Sequence, residues 1–279
     1  MPHHRAVRQL VLSTLLLAFV NVETRGQAPT LGRDTTTAHV ALFSKSDAVF
    51  GLGVVALSAA TVAVDRQIAV NSRGVKTGAL KSSDQISEAV PFMRRPGAFI
   101  ATGGVFLLGR VVGSPAVADL GWHTLEAVVV STGLSFALKR AIGRANPNFG
   151  GDTATTDFAL GGGFSEFGRT AFPSATVAVA FAVASSGSAE FLRSWPSAGW
   201  IVAPLLYGGA TAVAVSRIYD NRHWASDIVA GAGLGIWTGL KVVRYSHDHP
   251  NNFVDKLMLH ASIVPSAGGG TLAFSFPTK

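Results

Sequence analysis

Ser216-Arg217-Ile218-Tyr219-Asp220-Asn221-Arg222-His223-Trp224-Ala225-Ser226-Asp227, followed at once by the apolar, glycine-rich run 228–243, gathers three groups suited to phosphate chemistry in one short stretch. His223 and Asp227 are four residues apart, so on a helix they share a face. A carboxylate in that position can accept the ring N–H and hold the imidazole in one tautomer, leaving the other nitrogen to attack. Arg217 lies six residues upstream, where a turn can bring its fork of donors onto phosphate oxygens. In isolation the same three residues would also suit a surface ion-pair cluster, so the rest of the chain has to decide between the two.

Two further segments bear on it. One is Leu138-Lys139-Arg140-Ala141-Ile142-Gly143-Arg144-Ala145-Asn146-Pro147, and the other is Phe172-Pro173-Ser174-Ala175-Thr176-Val177. In this order and spacing, the three segments resemble the signatures of the type 2 phosphatidic acid phosphatase / vanadium haloperoxidase superfamily: K-x6-R-P, then P-S-G-H, then S-R-x5-H-x3-D. The resemblance spans about residues 120 to 243. The third signature is complete. In the first, Lys139 and Pro147 match, but Asn146 stands where the family has arginine. In the second, Pro173 and Ser174 match, while Ala175 replaces glycine and Thr176 replaces histidine.

The resemblance implies an all-α helical bundle of about six apolar helices, with the active-site residues at helix ends. It implies that His223 attacks phosphorus to form a phosphohistidine, with Asp227 orienting it. Lys139 and Arg217 would hold the non-bridging oxygens and Ser174 would donate a hydrogen bond, with no cofactor and no metal. The family's second-motif histidine protonates the leaving oxygen. Thr176 cannot do so near neutral pH, and loss of a positioned acid typically costs about 10² to 10⁴ in rate. Loss of the arginine at Asn146 removes a charge-assisted contact of roughly 1.5–3 kcal/mol. Arg144 is a conceivable substitute clamp that could lean into the site. His123, at the head of the segment leading to Lys139, reads as a helix-start or interface residue.

Three functions are therefore open. The leading one is hydrolysis of phosphate monoesters, of lipid or small molecules, with reduced turnover. The second is a catalytically inactive relative that binds anions or lipid phosphates, and the third is a vanadium-dependent haloperoxidase. The last is least supported, because that branch also uses the missing arginine and histidine.

Composition sets the surroundings. Hydrophobic residues make up 48% of the 279 and charged residues only 14%, an apolar balance for a soluble chain. The absence of cysteine rules out disulfides and thiolate metal sites. His3, His4, Arg5 and Arg8 precede the short apolar core 10–20, the pattern of an export signal over residues 1–28 or of an uncleaved anchor. Removing it takes three arginines and one glutamate and lowers the net charge from +7 to +5. That mild basicity suits an anionic substrate or membrane surface. Nucleic acid is not expected as a partner, because the Lys and Arg residues are dispersed.

A polar arm over 29–45 leads into a helical domain over 46–243, followed by a tail over 244–279. Apolar segments near 47–64, 98–119, 122–138, 173–190, 199–216 and 226–243 read as helices from length and composition. Six such segments fit a membrane protein exported with its site facing outward. Against spanning stand Arg110 and Glu126 inside apolar segments and several cores shorter than a ~20-residue span. The loop 148–171, with Gly161-Gly162-Gly163, is suited to cover the mouth or admit substrate. His247-Asp248-His249 looks like a metal-binding pair but has no third ligand nearby in sequence, so it reads as a solvated turn ending at Pro250. Leu272–Phe276 alternates, as a short edge strand or packing tail would.

Overall fold

A computed structural model describes residues 43–74, 95–150, 154–250, 252–259, 261–266 and 269–274. The expected export signal at 1–28, nearly all of the polar arm, and the end of the alternating tail segment lie outside the described residues. Among the described residues six long helices form the body: α1 (Lys45–Gly74), α2 (Arg95–Val111), α3 (Pro115–Ile142), α4 (Ala175–Ser194), α5 (Pro196–Tyr219) and α6 (Ala225–Asp248). A short helix α7 (Phe253–Leu259) follows. An antiparallel hairpin closes the described chain, its strands β1 (Ala261–Ser266) and β2 (Gly269–Phe274) pairing Ala261 with Phe274 and Ser266 with Gly269. The architecture is the expected helical bundle, with a hairpin appended whose second strand overlaps the 272–276 segment expected to be a short edge strand or packing tail, while the first strand was not expected.

Local chemistry explains where the helices stop. The expected second segment, 98–119, is in fact two helices. Gly113 adopts a left-handed φ of +69°, Ser114 is extended and Pro115 opens α3 at its first turn, where proline loses no helical hydrogen bond. Arg110 therefore lies in the last turn of α2 rather than within a span, donating to the Leu259 carbonyl at 2.6 Å. α3 ends at Gly143, whose φ of 60° and N–H bond to the Lys139 carbonyl turn the chain.

The central helix is α4, which packs against α3, α5 and α6, while α6 also meets α1 and α3, and α2 lies on α3. Val177, Phe181, Val213 and Ile228 form the core between α4, α5 and α6. α4 and α6 approach closely along Gly231, Gly235 and Gly239. A Cβ at Gly235 would sit 2.2 Å from the Ala178 carbonyl oxygen, and one at Gly231 would sit 2.6 Å from that of Ser174. Small residues at every fourth position are what let two helix backbones come this near.

The outer surface is apolar. α1, α4 and α5 are long and apolar enough to cross a membrane. Val49, Leu52 and Val55 on α1, Leu107 and Leu108 on α2, and Trp200 and Leu205 on α5 all face outward. Water would penalise an exposed apolar area of this extent, whereas lipid matches it. This is a membrane protein, with α4 as the shielded helix at its centre.

Candidate active site

The C-terminal end of α3 and the N-terminal ends of α4 and α6 meet at one mouth. The Ser174 N–H donates to the Asp227 carbonyl at 3.0 Å, joining the start of α4 to the first turn of α6. Trp224, 1% exposed, donates its indole N–H to the Ala145 carbonyl at 3.0 Å, which ties the third motif to the first. The loop expected to be a cover forms a wall instead. Its backbone binds the segment after α3 through Ala145 N–H to the Asp157 carbonyl, Ala159 N–H to that of Gly143 and Ala171 N–H to that of Arg144. Arg140 also reaches across to the Gly163 carbonyl at 2.7 Å.

His223 lies just before α6, in the turn after α5. Its Nδ1 stands 2.8 Å from the Ala171 carbonyl oxygen. A carbonyl only accepts, so Nδ1 carries the proton and Nε2 keeps its lone pair. Asp227 is not the hydrogen-bond partner the spacing suggested, since its Oδ2 is 3.7 Å from the same nitrogen. Its carboxylate is used elsewhere, accepting from the Trp224 N–H at 2.8 Å and from Arg144 Nη1 at 2.5 Å. Lys139 donates to the carbonyls of Thr170 and Ala171, so lysine and histidine share the Ala171 oxygen. Burial, with the Lys139 charge adding to it, holds His223 below its ordinary pKa against the opposing pull of Asp227.

Arg144 does not lean into the site. It is fully buried, and all five of its N–H donors are engaged: Nε and Nη2 on the Thr155 carbonyl, Nη1 on Ser226 Oγ and Asp227 Oδ1, and Nη2 also on Asp65 Oδ2. Asp65, on α1, also accepts from the Ser226 N–H at 2.9 Å and from Ser226 Oγ at 2.5 Å. Sequence reasoning missed it. The available signal was a carboxylate set between the apolar stretches 54–64 and 68–70, which in such a helix marks a partnered group.

Arg217, in the last turn of α5, is paired with Asp220. Ser174 is the residue before α4. Its hydroxyl is fully buried and finds no hydrogen-bond partner among the described residues. Ala175 and Thr176 occupy the first turn of α4, Ala175 buried and Thr176 half-buried. Asn146 precedes the short turn Pro147–Gly150, its N–H on the Gly168 carbonyl at 2.9 Å. Lys139, Ser174, His223 and Asp227 are thus connected through Ala171 and the α4–α6 contact, and Arg217 stands at the far end of the turn that carries His223.

Such a mouth brings an imidazole, a lysine and a helix start together at one end of an apolar bundle, a set of groups that can hold an anion. Residues 120–250, just under half of the chain, match the family model of the PAP2 superfamily. A lipid A 1-phosphatase of Porphyromonas gingivalis is 44% identical over 71 residues, which make up 24% of this chain and 14% of that protein. The crystal structure of a transmembrane PAP2-type phosphatidylglycerolphosphate phosphatase from Bacillus subtilis superposes with a TM-score of 0.55 at 17% identity, covering 74% of this chain and 97% of that one. That likeness establishes the fold.

Proposed function

We propose that the protein hydrolyses phosphate monoesters through His223. Nε2 attacks phosphorus, an N–P bond forms and the bond to the leaving oxygen breaks. Water then displaces phosphate from the histidine. Lys139 and Arg217 stabilise the non-bridging oxygens, and the unsatisfied Ser174 hydroxyl offers one more donor to the anion. Asp227 positions the turn that carries His223. The leaving oxygen takes its proton from solvent, because Thr176 has none to give near neutral pH. Turnover is therefore slow for alkyl esters and less impaired for aryl phosphates, whose leaving groups need little proton help.

The observation that carries this reading is the Nδ1–H bond of His223 to the Ala171 carbonyl, which leaves the Nε2 lone pair free while Lys139 binds the same oxygen. The phosphatase names of the relatives agree with it, and the apolar wall favours a lipid phosphate as substrate. With the export signal read at residues 1–28, the site would face outward. Asn146 and Thr176 support a second reading, in which the pocket binds a lipid phosphate without turning it over. The test is phosphate release by the purified protein from an aryl phosphate and from phosphatidic acid, beside His223→Ala. Release that disappears in the variant supports hydrolysis. Equal background release from both proteins, with phosphate-lipid binding retained, establishes the binding module instead.

A further inference from the structure

The opposite end of the bundle holds a second set of ionisable side chains that the phosphate site does not use. His123 lies on α3, about 24 Å along the helix from Lys139. It meets Glu190 near the end of α4, His247 in the last turn of α6 and Asp255 on α7. His123, Glu190 and Asp255 are each no more than 3% exposed. His123 is therefore a core residue of α3, not a helix-start residue, and His247 is no solvated turn residue, since its Nε2 is 2.8 Å from Glu190 Oε1.

The two nitrogens of His123 are in different situations. Nδ1 lies 2.5 Å from Glu190 Oε1, so it carries the proton. Nε2 is buried with no hydrogen-bond partner among the described residues, 3.7 Å from Asp255 Oδ2. Glu126, three residues along α3, likewise buries Oε2 with no hydrogen-bond partner among the described residues. Ligand atoms of His123, Glu126 and Asp255 all lie within 4.8 Å of one another.

We propose that His123 Nε2, Glu126 Oε2 and Asp255 Oδ2 bind a divalent cation of the zinc type. Nitrogen and oxygen ligands at about 2.0–2.2 Å from a tetrahedral ion stand roughly 3.5 Å from one another, close to the observed Nε2–Oδ2 separation. Glu190 takes the outer position: a carboxylate on the far ring N–H of a ligating histidine fixes its tautomer and orientation. Trp122 does the same for Asp255, donating to its Oδ1 at 3.0 Å. The alternative set His123, Glu190 and His247 is spaced as hydrogen bonds, 2.5 and 2.8 Å to one oxygen, too close for three ligands of a single ion. Charge points the same way. Asp119 lies one turn before His123 and adds a fourth carboxylate nearby, and the ion-pair partners of Glu190 and Asp255 among the described residues are imidazoles. The cation would clamp α7, and the hairpin after it, to α3.

The test uses the tag-free full chain in detergent, stripped with a chelator, equilibrated with micromolar zinc and desalted into metal-free buffer. About one zinc per chain is expected to remain. X-ray absorption at the zinc edge should show a shell of nitrogen and oxygen near 2.0–2.2 Å. Glu126→Gln should weaken zinc binding at least ~10-fold, as should Asp255→Asn, while His223→Ala keeps the full complement. Glu126 is the least buried of the three ligands, so its variant carries the test should Asp255→Asn fail to fold. Wild-type protein holding no zinc above the buffer would overturn the proposal, as would undiminished binding by Glu126→Gln. Neither result bears on phosphate release at the other end.

Discussion

The Ala171 carbonyl does the work that spacing alone assigned to Asp227: it holds the Nδ1 proton of His223. A nucleophilic imidazole must be neutral, and both burial and the Lys139 charge favour the neutral form. The acid limb of kcat/KM should therefore fall below the ordinary histidine value of about 6.5. Lys139→Met should move that limb upward in the residual activity, since it removes a charge that repels the imidazolium. A pH–rate profile of both proteins checks this, and a limb unmoved by the substitution would separate Lys139 from His223 electrostatically. The same scale fixes the test of the altered motifs. Thr176→His with Asn146→Arg should raise turnover of alkyl phosphates toward the 10²–10⁴-fold ceiling of a positioned general acid. An unchanged kcat would mean that neither position faces the reacting group.

At the scale of elements, the site depends on how near α6 comes to α4, because Ser174 and Asp227 are joined across that contact. A Cβ at Gly239 would lie 2.0 Å from Ser185 Oγ and 2.8 Å from the Ala182 carbonyl oxygen. Gly239→Ala should cost about 1–3 kcal/mol by overpacking and lower activity as well, by separating the two helix starts. Gly51→Ala, on the outward face of α1 with nothing within 4 Å, should leave melting temperature and activity as they are. These helices were legible because apolar runs of this length without alternation leave few other readings. The break at Gly113-Ser114-Pro115 was not, because valines and alanines flank it and hydropathy runs straight through. α1 was cut short at 64 for the opposite reason: Asp65 and Arg66 look like a helix end, although the helix continues to Gly74. His223 and its motif could be read directly, whereas the acceptors at Thr155, Thr170 and Ala171 are main-chain carbonyls, which leave no trace in residue type.

At the scale of the whole molecule, one buried network joins the first helix to the last long one. Asp65 on α1 accepts from Arg144 after α3 and from Ser226 on α6, while Arg144 also holds Asp227, whose carboxylate lies 3.7 Å from His223. A guanidinium between two carboxylates at zero exposure is stable only as a set, since removing one partner leaves an uncompensated charge where water cannot reach. Asp65→Ala should therefore destabilise the protein by about 3–5 kcal/mol. Asp65→Asn keeps an acceptor for the Ser226 N–H and loses only the charge, so it should cost less. Denaturation of the two variants in detergent gives that order. Activity should fall with stability, because Arg144 freed from α1 shifts onto Asp227 and alters the turn that carries His223. If Asp65→Ala melted like the parent, α1 would be only a lipid-facing wall, and the phosphate site would owe its geometry to α3, α4 and α6 alone.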